Sequence, residues 1–167
     1  MDSLAEKRNP LETESDVLEL EGFLPYRLNV LATLVSQSLA RVYGERFGIS
    51  IPEWRILATL GQFSEMTARE IGLHSRMHKT TVSRAVAALE KRHLVARRPN
   101  RQDMREAFLA MTPRGQAIYA EIVPMARQFA QDLAQDIRPD DLATLNRVLG
   151  QLMARLKASG EDHDPDA

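Results

Sequence analysis

Residues 68–115 read AREIGLHSRMHKTTVSRAVAALEKRHLVARRPNRQDMREAFLAMTPRG, and they hold half of the 22 Lys and Arg residues of the chain. From Ala68 to Arg105, ten basic side chains stand against three carboxylates, whereas the formal net charge of the 167 residues is −1. The field that attracts a polyanion depends on local charge density and not on the charge of the whole chain. This stretch therefore predicts a surface that binds a polyanion, and nucleic acid is the first hypothesis.

The same residues have the spacing of a helix-turn-helix. Thr67 and Glu70 lie three positions apart, which is the spacing of a capping box, and they predict a short helix. A second helix is predicted to begin near Lys79, with apolar residues at helical spacing on its inward face, namely Val82, Val86 and Leu89. Small polar side chains and one arginine remain on its other faces, where they suit a DNA groove.

A two-stranded wing is predicted after the second helix. Residues 94–98 and 105–111 have the composition of strands, and the polar residues 99–104 between them read as a turn. The order helix, turn, helix and wing is that of a winged helix-turn-helix.

Long helices are predicted upstream of this stretch. Apolar residues recur at spacings of three or four over residues 23–43, and Gly44 and Gly48 are expected to end that amphipathic helix. Ser50 and Glu53 predict a capped start for the next helix, which is expected to give way to a connector at residues 61–66.

Two further helices are predicted downstream. Thr112 and Pro113 form a cap and first-turn pair for a long helix, which Pro124 is expected to kink or weaken. A last amphipathic helix follows Pro139.

Composition narrows the class of protein. The chain has no cysteine, which excludes disulfides, thiolate nucleophiles and Cys-ligated metals. Aromatic residues make up 5% of the chain, too few for the stacking platforms of single-strand or RNA binders, so duplex DNA is favoured. A Gly-rich phosphate loop, a His-Glu-x-x-His motif and a nucleophile elbow are all missing from the sequence, so we expect no enzyme and no cofactor.

No apolar run reaches the roughly 18 residues that span a bilayer, and the acidic start lacks the pattern of a secretory signal. We therefore expect a cytoplasmic protein without membrane contact. Residues 1–22 read as an acidic, flexible N-terminal arm, and residues 159–167 as an acidic, flexible tail.

Three motifs together resemble those of the MarR family of winged helix-turn-helix transcription regulators, over roughly residues 24–156. They are Ile51-Pro52-Glu53-Trp54-Arg55-Ile56-Leu57; Lys79-Thr80-Thr81-Val82-Ser83-Arg84 with Leu89-Glu90-Lys91-Arg92; and Asp103-Met104-Arg105 followed by Leu109, Met111, Thr112 and Gly115. His78 departs from the family pattern, in which a carboxylate or a small capping residue often precedes the recognition helix.

The resemblance implies a homodimer whose terminal helices interlace and whose two recognition helices meet the half-sites of a pseudo-palindrome. The fold expected is mainly α with a small β-wing, a winged helix-turn-helix domain embedded between dimerisation helices. Residues 23–45 and 113–158 would form the helical dimerisation region, and residues 50–112 the DNA-binding region. Broad apolar stripes on the flanking helices supply a physical reason for a partner chain, because the small winged domain cannot cover them all.

The DNA contacts expected fall on the second helix and the wing. Arg84 is the best candidate for a bidentate contact to guanine, with further contacts expected from Lys79, Thr80, Thr81 and Ser83. Wing arginines would neutralise phosphates or enter the minor groove, namely Arg97, Arg98, Arg101 and Arg105. Asp103 is expected to order the wing by pairing with an arginine, because a carboxylate facing phosphate is repelled.

A small-molecule effector, either aromatic or anionic, is expected as well. Apolar walls, a phenol and one cation for it would come from Tyr26, Arg27, Trp54, Phe63, His74 and Met77. Trp54 at helical spacing is as readily explained as a core residue. His74 and His78 lie four apart, but a turn separates them and no Cys or carboxylate cluster completes a ligand set, so no metal site is expected.

The sequence favours a ligand-responsive transcription regulator, a repressor that binds a pseudo-palindromic operator as a homodimer. Two alternatives remain open at this point. One is a winged-helix module that binds an acidic protein partner, and the other is an architectural protein that bends duplex DNA without sequence preference.

Overall fold

The computed structural model describes residues 17–100, 104 and 106–159. Within that part of the chain the elements run in the order α1 (Leu24–Phe47), α2 (Ile51–Phe63), β1 (Glu65–Thr67), α3 (Ala68–Ser75), α4 (Lys79–Lys91), β2 (Val95–Pro99), β3 (Ala107–Met111), α5 (Pro113–Ala134) and α6 (Pro139–Ser159). The fold is mainly helical with a small antiparallel sheet, as the sequence predicts.

Both predicted capping boxes are confirmed. The Ser50 backbone N–H donates to Glu53 Oε2 at 2.7 Å, and the Glu53 N–H donates back to Ser50 Oγ at 3.4 Å. The Thr67 N–H donates to Glu70 Oε2 at 2.7 Å, and the Glu70 N–H to Thr67 Oγ1 at 3.2 Å. These bonds satisfy amide groups that a helix start leaves unpaired, so the first residues of α2 and α3 are fixed by local sequence.

In the part of the chain that the structure describes, three residues other than glycine have a positive φ, and each follows a helix: Ser64, Arg76 and His93. After α4, the His93 N–H donates to Glu90 O at 2.9 Å and the Leu94 N–H to Leu89 O at 2.9 Å, which is the Schellman pattern. Leu89 and Leu94 are both fully buried, so the end of α4 is fixed by packing as well as by hydrogen bonds.

The sheet has three strands in the order β1-β3-β2, one more than predicted. Both pairs are antiparallel, with Arg97 opposite Leu109 and Glu65 opposite Ala110. The connector predicted at residues 61–66 is wrong, because α2 continues to Phe63 and β1 begins at Glu65. The three residues of β1 are too few to show a strand period in the sequence.

Two glycines expected to lie outside helices lie within them. The first helix continues through Gly44 and ends at Phe47, before Gly48, whose φ of +59° favours glycine. Gly61 lies inside α2, where an added Cβ would overlap the ring of Tyr119. Gly61 is therefore explained by close packing and not by a break in the helix.

The buried core lies between the end of α1, α2, α3, α4, the sheet and the first half of α5. It contains the inward face predicted for α4, where Val82, Val86 and Leu89 are at most 1% exposed. Leu109 of β3 and Ile122 of α5 close the core from the other side.

The start of α5 is attached to the end of α4. Thr112 Oγ1 caps α5 by accepting from the Gly115 N–H at 3.1 Å, and it donates to His93 O at 2.6 Å. The Thr112 N–H donates to Leu94 O at 3.0 Å, and a Cβ at Gly115 would overlap that same carbonyl. The Thr-x-x-Gly part of the wing motif is thus a cap followed by a close backbone approach. The following helix runs as one element to Ala134 with Pro124 inside it.

The chain divides into two compact units, one up to Gln37 and one from Ser38. In the first unit, Leu24, Leu31 and Leu34 are each more than half exposed. In the second unit, α6 has 21 residues and none of them is buried.

Candidate nucleic-acid interface

One face of α4 is fully available to a partner. Lys79, Thr80, Ser83 and Arg84 are exposed, and Thr81 is half-buried. The opposite face is anchored by the buried Val82, Ala85, Val86 and Leu89. The structure therefore brings all five residues predicted on this helix to one end of α4, four of them on a solvent-facing stripe.

Arg84 and Lys79 make no ion pair with any residue that the structure describes. A guanidinium carries five N–H donors in a fixed fork, which suits an acceptor with two oxygen or nitrogen atoms. His78 occupies the N-cap position of α4, but its side chain makes no capping hydrogen bond. The amide groups at the start of α4 therefore lack the side-chain cap that α2 and α3 have.

Two exposed cations on and after α3 were not among the predicted DNA contacts. They are Arg69, in the first turn of α3, and Arg76, the left-handed residue between α3 and α4. A count of charges includes both residues, but it does not show which face of the protein they lie on. Helical spacing does not place Arg76 either, because Arg76 follows the end of a helix.

The wing arginines that the structure describes are paired with carboxylates of the protein itself. Arg97 Nε lies 2.9 Å from Glu90 Oε1, and Arg97 Nη2 lies 3.3 Å from Glu90 Oε2. Arg98 Nη1 lies 3.8 Å from Glu65 Oε2 of β1. Arg101, Asp103 and Arg105 lie outside the described residues.

Arg92, directly after α4, connects three elements. Its Nη2 donates to Phe47 O at 2.6 Å and its Nη1 to Gly48 O at 2.9 Å, so it satisfies carbonyls at the end of α1. Its Nη1 also lies 3.9 Å from Glu53 Oε1, in the capping box of α2. The end of α4 is thereby held to the end of α1 and to the start of α2.

A cavity of about 380 Å³ lies between α3, α4 and the wing. Its floor includes the buried side chains of Met77, Val82 and Val86, and its rim carries the charged groups of Arg69, Lys79, Arg97 and Glu106. An apolar floor with cations at the rim suits a small anionic ligand with an apolar body.

In the unit that begins at Ser38, the predicted effector residues lie in three different places. Met77 lines the cavity, and Phe63 meets His74 edge to face with ring centroids 5.0 Å apart. Trp54 packs against the core between Tyr43 and Tyr119, with centroid distances of 5.4 and 6.0 Å. Tyr26 and Arg27 are exposed residues of the first unit.

Burial raises the pKa of Tyr43 to about 12, and the nearby positive charge of Arg55 opposes part of that rise. Tyr43 thus stays neutral in the aromatic stack at physiological pH.

Within residues 17–100, 104 and 106–159, no three His, Asp or Glu side chains are grouped as metal ligands. None of the helices in the same residues has the length and apolar character that crossing a membrane requires.

Comparison with known proteins identifies relatives of this chain. A model of the MarR family matches residues 49–107. The HTH-type transcriptional regulator TcaR of Staphylococcus aureus is 28% identical, over 81% of this chain and 89% of its own length.

Two solved structures extend the match. A MarR family transcriptional regulator from Silicibacter pomeroyi is 30% identical, with a TM-score of 0.71, over 85% of this chain and 92% of its own. A mutant MarR from E. coli, solved in complex with operator DNA, shares the fold with a TM-score of 0.65 at 22% identity, over 75% of this chain and 93% of its own.

These findings confirm the resemblance that the sequence motifs suggest. The relatives are transcriptional regulators and not enzymes, in agreement with the expectation for this chain. The chain belongs to the MarR family of transcriptional regulators.

Proposed function

We propose that the protein is a repressor that binds a pseudo-palindromic operator as a homodimer and is released by a small anionic or aromatic ligand. The observation that carries the proposal is the exposed stripe on α4, with Lys79, Thr80, Ser83 and Arg84 presented on a helix whose other face is anchored in the core. A relative with the same fold has been solved with operator DNA.

In this proposal α4 enters the major groove and Arg84 reads a guanine with two hydrogen bonds. Lys79, at the first turn of α4, contacts phosphate, and Thr80, Thr81 and Ser83 contact base edges or phosphates. Arg105 is proposed as a wing contact on the strength of the family motif, and Arg101 because of its charge in the predicted turn of the wing. Asp103 is proposed as the residue that orders the wing.

The homodimer is inferred from apolar surface on the long helices. In α6, the side chains of Leu145, Met153 and Leu156 are 44%, 58% and 71% exposed, although all three are apolar. Such surface on a helix that contributes nothing to the core favours a partner chain of the same kind. Residues 23–45 and 113–158 are accordingly proposed as the dimerisation region.

The ligand is proposed to act by biasing two dimer geometries that differ in the spacing of the recognition helices. The cavity beside α4 is one place for it, since a ligand there would contact Lys79 and Ser83 of the recognition helix. The residues predicted from sequence remain candidates for contacts with the ligand, namely Tyr26, Arg27, Trp54, Phe63, His74 and Met77. The proposal includes a cytoplasmic location and no cofactor.

The test is selection of bound duplexes from a random library by the purified protein at near-physiological salt. We expect an inverted repeat with half-sites about one helical turn apart, bound far more tightly than random DNA. Weak, salt-sensitive binding without a motif would contradict the proposal and would favour an architectural protein or a protein-interaction module.

Two variants separate base reading from phosphate binding. Arg84→Ala should relax sequence preference, whereas Arg101→Ala should weaken operator and random DNA alike and reduce the salt slope by about 1. Equal losses on operator and random DNA for Arg84→Ala would exclude a reading role for Arg84.

A further inference from the structure

The ion pair between Glu90 and Arg97 joins the recognition helix to the wing. Glu90 lies in the last turns of α4 and Arg97 lies in the middle of β2. Two hydrogen bonds run in parallel, Nε to Oε1 at 2.9 Å and Nη2 to Oε2 at 3.3 Å. A bidentate pair fixes the direction of both side chains and not only their separation.

The strand register directs Arg97 to α4. Successive side chains of a strand alternate between its two faces, so Arg97 shares a face with Val95, which is 2% exposed in the core that contains α4. Arg98 lies on the other face of β2 and reaches Glu65 of β1 instead. Arg97 therefore pairs with α4, whereas its neighbour Arg98 pairs with β1.

The pair also makes Arg97 less available to a phosphate group. Glu90 neutralises its charge and uses two of the three nitrogens of its guanidinium, so a phosphate would have to displace the carboxylate. By contrast, Arg84 and Lys79 have no such partner among the described residues.

We propose that Glu90 and Arg97 are positioning residues that fix the wing to the recognition helix, and that Arg97 is not a phosphate contact. This inference rests on the proposed function for its DNA readout. The pair fixes the angle between the wing and α4 before DNA binds. The wing and α4 can therefore contact the same stretch of duplex without a rearrangement.

The first experiment needs no DNA. Amide hydrogen exchange is measured on the unmodified protein and on Glu90→Gln, Arg97→Met and the double variant, where Met keeps the length of the arginine stem. We expect faster exchange in β2 and β3 in each single variant, with no further gain in the double variant, because both changes break one interaction.

Glu106→Gln is the matched control. Glu106 lines the same cavity as Arg97 and makes no ion pair with a described residue, so its neutralisation should leave exchange in the wing unchanged. Unchanged exchange in Glu90→Gln and Arg97→Met would overturn the proposal whether or not an operator exists.

The second experiment uses the operator recovered by selection. The ratio of operator affinity to random-DNA affinity removes the general effect of a changed charge, and we expect it to fall about fivefold in each single variant and no further in the double variant. The salt slope of Arg97→Met should equal that of the unmodified protein. The exchanged pair, Glu90→Arg with Arg97→Glu, should restore the ratio to within about twofold of its original value.

The opposite results identify Arg97 as a phosphate contact masked by Glu90. In that case Glu90→Gln would tighten operator binding, Arg97→Met would lower the salt slope by about 0.9, and the exchanged pair would not recover. Failure of the unmodified protein to select any operator would instead refute the proposed function, and the exchange measurement would still decide the role of the pair.

Discussion

Gly115 shows how one residue can be fixed by a neighbouring carbonyl. It lies in the first turn of α5, where a Cβ would overlap the backbone of Leu94, and backbone atoms cannot move aside as a flexible side chain does. We expect Gly115→Ala to lower the free energy of unfolding by about 3 kcal/mol, as overpacking of a close contact does at its upper end. Urea unfolding followed by circular dichroism, at one protein concentration, measures this change.

Gly44→Ala is the control for that substitution. Gly44 also lies in a helix, but its added Cβ would meet Ile49 O at 3.7 Å, an ordinary contact. Alanine there should raise the free energy of unfolding by about 0.5–1 kcal/mol through helix propensity. Equal losses in the two variants would mean that the contact with Leu94 does not explain Gly115.

Tyr43 should give stability a dependence on alkaline pH. Its pKa is about 12 in the folded protein and about 10 in an unfolded chain, because burial disfavours the phenolate. The folded state holds this proton more tightly, so its contribution is complete below pH 10 and is lost as the pH rises towards 12. The difference in unfolding free energy between the unmodified protein and Tyr43→Phe should therefore shrink or reverse across that interval. A difference that stays constant from pH 9 to pH 12 would contradict this assignment.

At the scale of elements, Arg92 and Arg46 offer a comparison between two arginines near the end of α1. Arg92 is 35% exposed and bonds two terminal carbonyls of that region, with the 9% exposed Glu53 beside it. Arg46 pairs with Glu121 of α5 at 2.6 Å, but the two side chains are 62% and 51% exposed. The shorter pair is thus the more hydrated one.

We expect Arg92→Met to lower the free energy of unfolding by about 2–3 kcal/mol, because it removes charged hydrogen bonds and leaves Glu53 without its cation. Arg46→Met should cost about 1 kcal/mol or less, as exposed pairs do. Thermal unfolding of both variants tests the comparison, and a larger loss for Arg46→Met would show that distance outweighs burial here.

The elements that sequence could predict are those with local signals. Ser50 with Glu53 and Thr67 with Glu70 encode their helix starts within four residues, so the predictions were confirmed. The β1 strand could not be found, since it exists through pairing between Glu65 and Ala110, far apart in the chain. The Schellman end of α4 was hidden because His93 takes the place that glycine usually marks.

The candidate site also has features that the sequence could predict and features that it could not. The inward face of α4 follows from its apolar period, so its outward face was also predictable. The pairs of Arg97 and Arg98 were not, because each joins two elements and a charge count does not reveal which carboxylate will be near. The role of Trp54 was likewise open from spacing alone, since a core residue and a ligand residue have the same period.

For the whole molecule, the proposed dimer predicts that a charged substitution disrupts the dimer on one face of α6 and is tolerated on the opposite face. Leu145→Glu combined with Leu156→Glu should convert a dimer of about twice 18.8 kDa to monomer, because charge on an apolar interface has no partner there. Ala154 lies nine positions after Leu145, half a turn out of phase, so Ala154→Glu should leave the dimer intact. Sedimentation equilibrium measures both masses. A monomeric unmodified protein, or dimers in both variants, would refute this interface.

The aromatic cluster around Trp54 has a practical consequence. Trp54 is the sole tryptophan of the chain, and its two aromatic neighbours, one tilted and one stacked, come from α1 and α5. Its fluorescence should therefore report on the junction of three helices, with energy transfer from the tyrosines changing as the cluster opens or closes. Operator and ligand titrations could be followed by this optical signal in unlabelled protein, at the place where the terminal helices meet the winged domain.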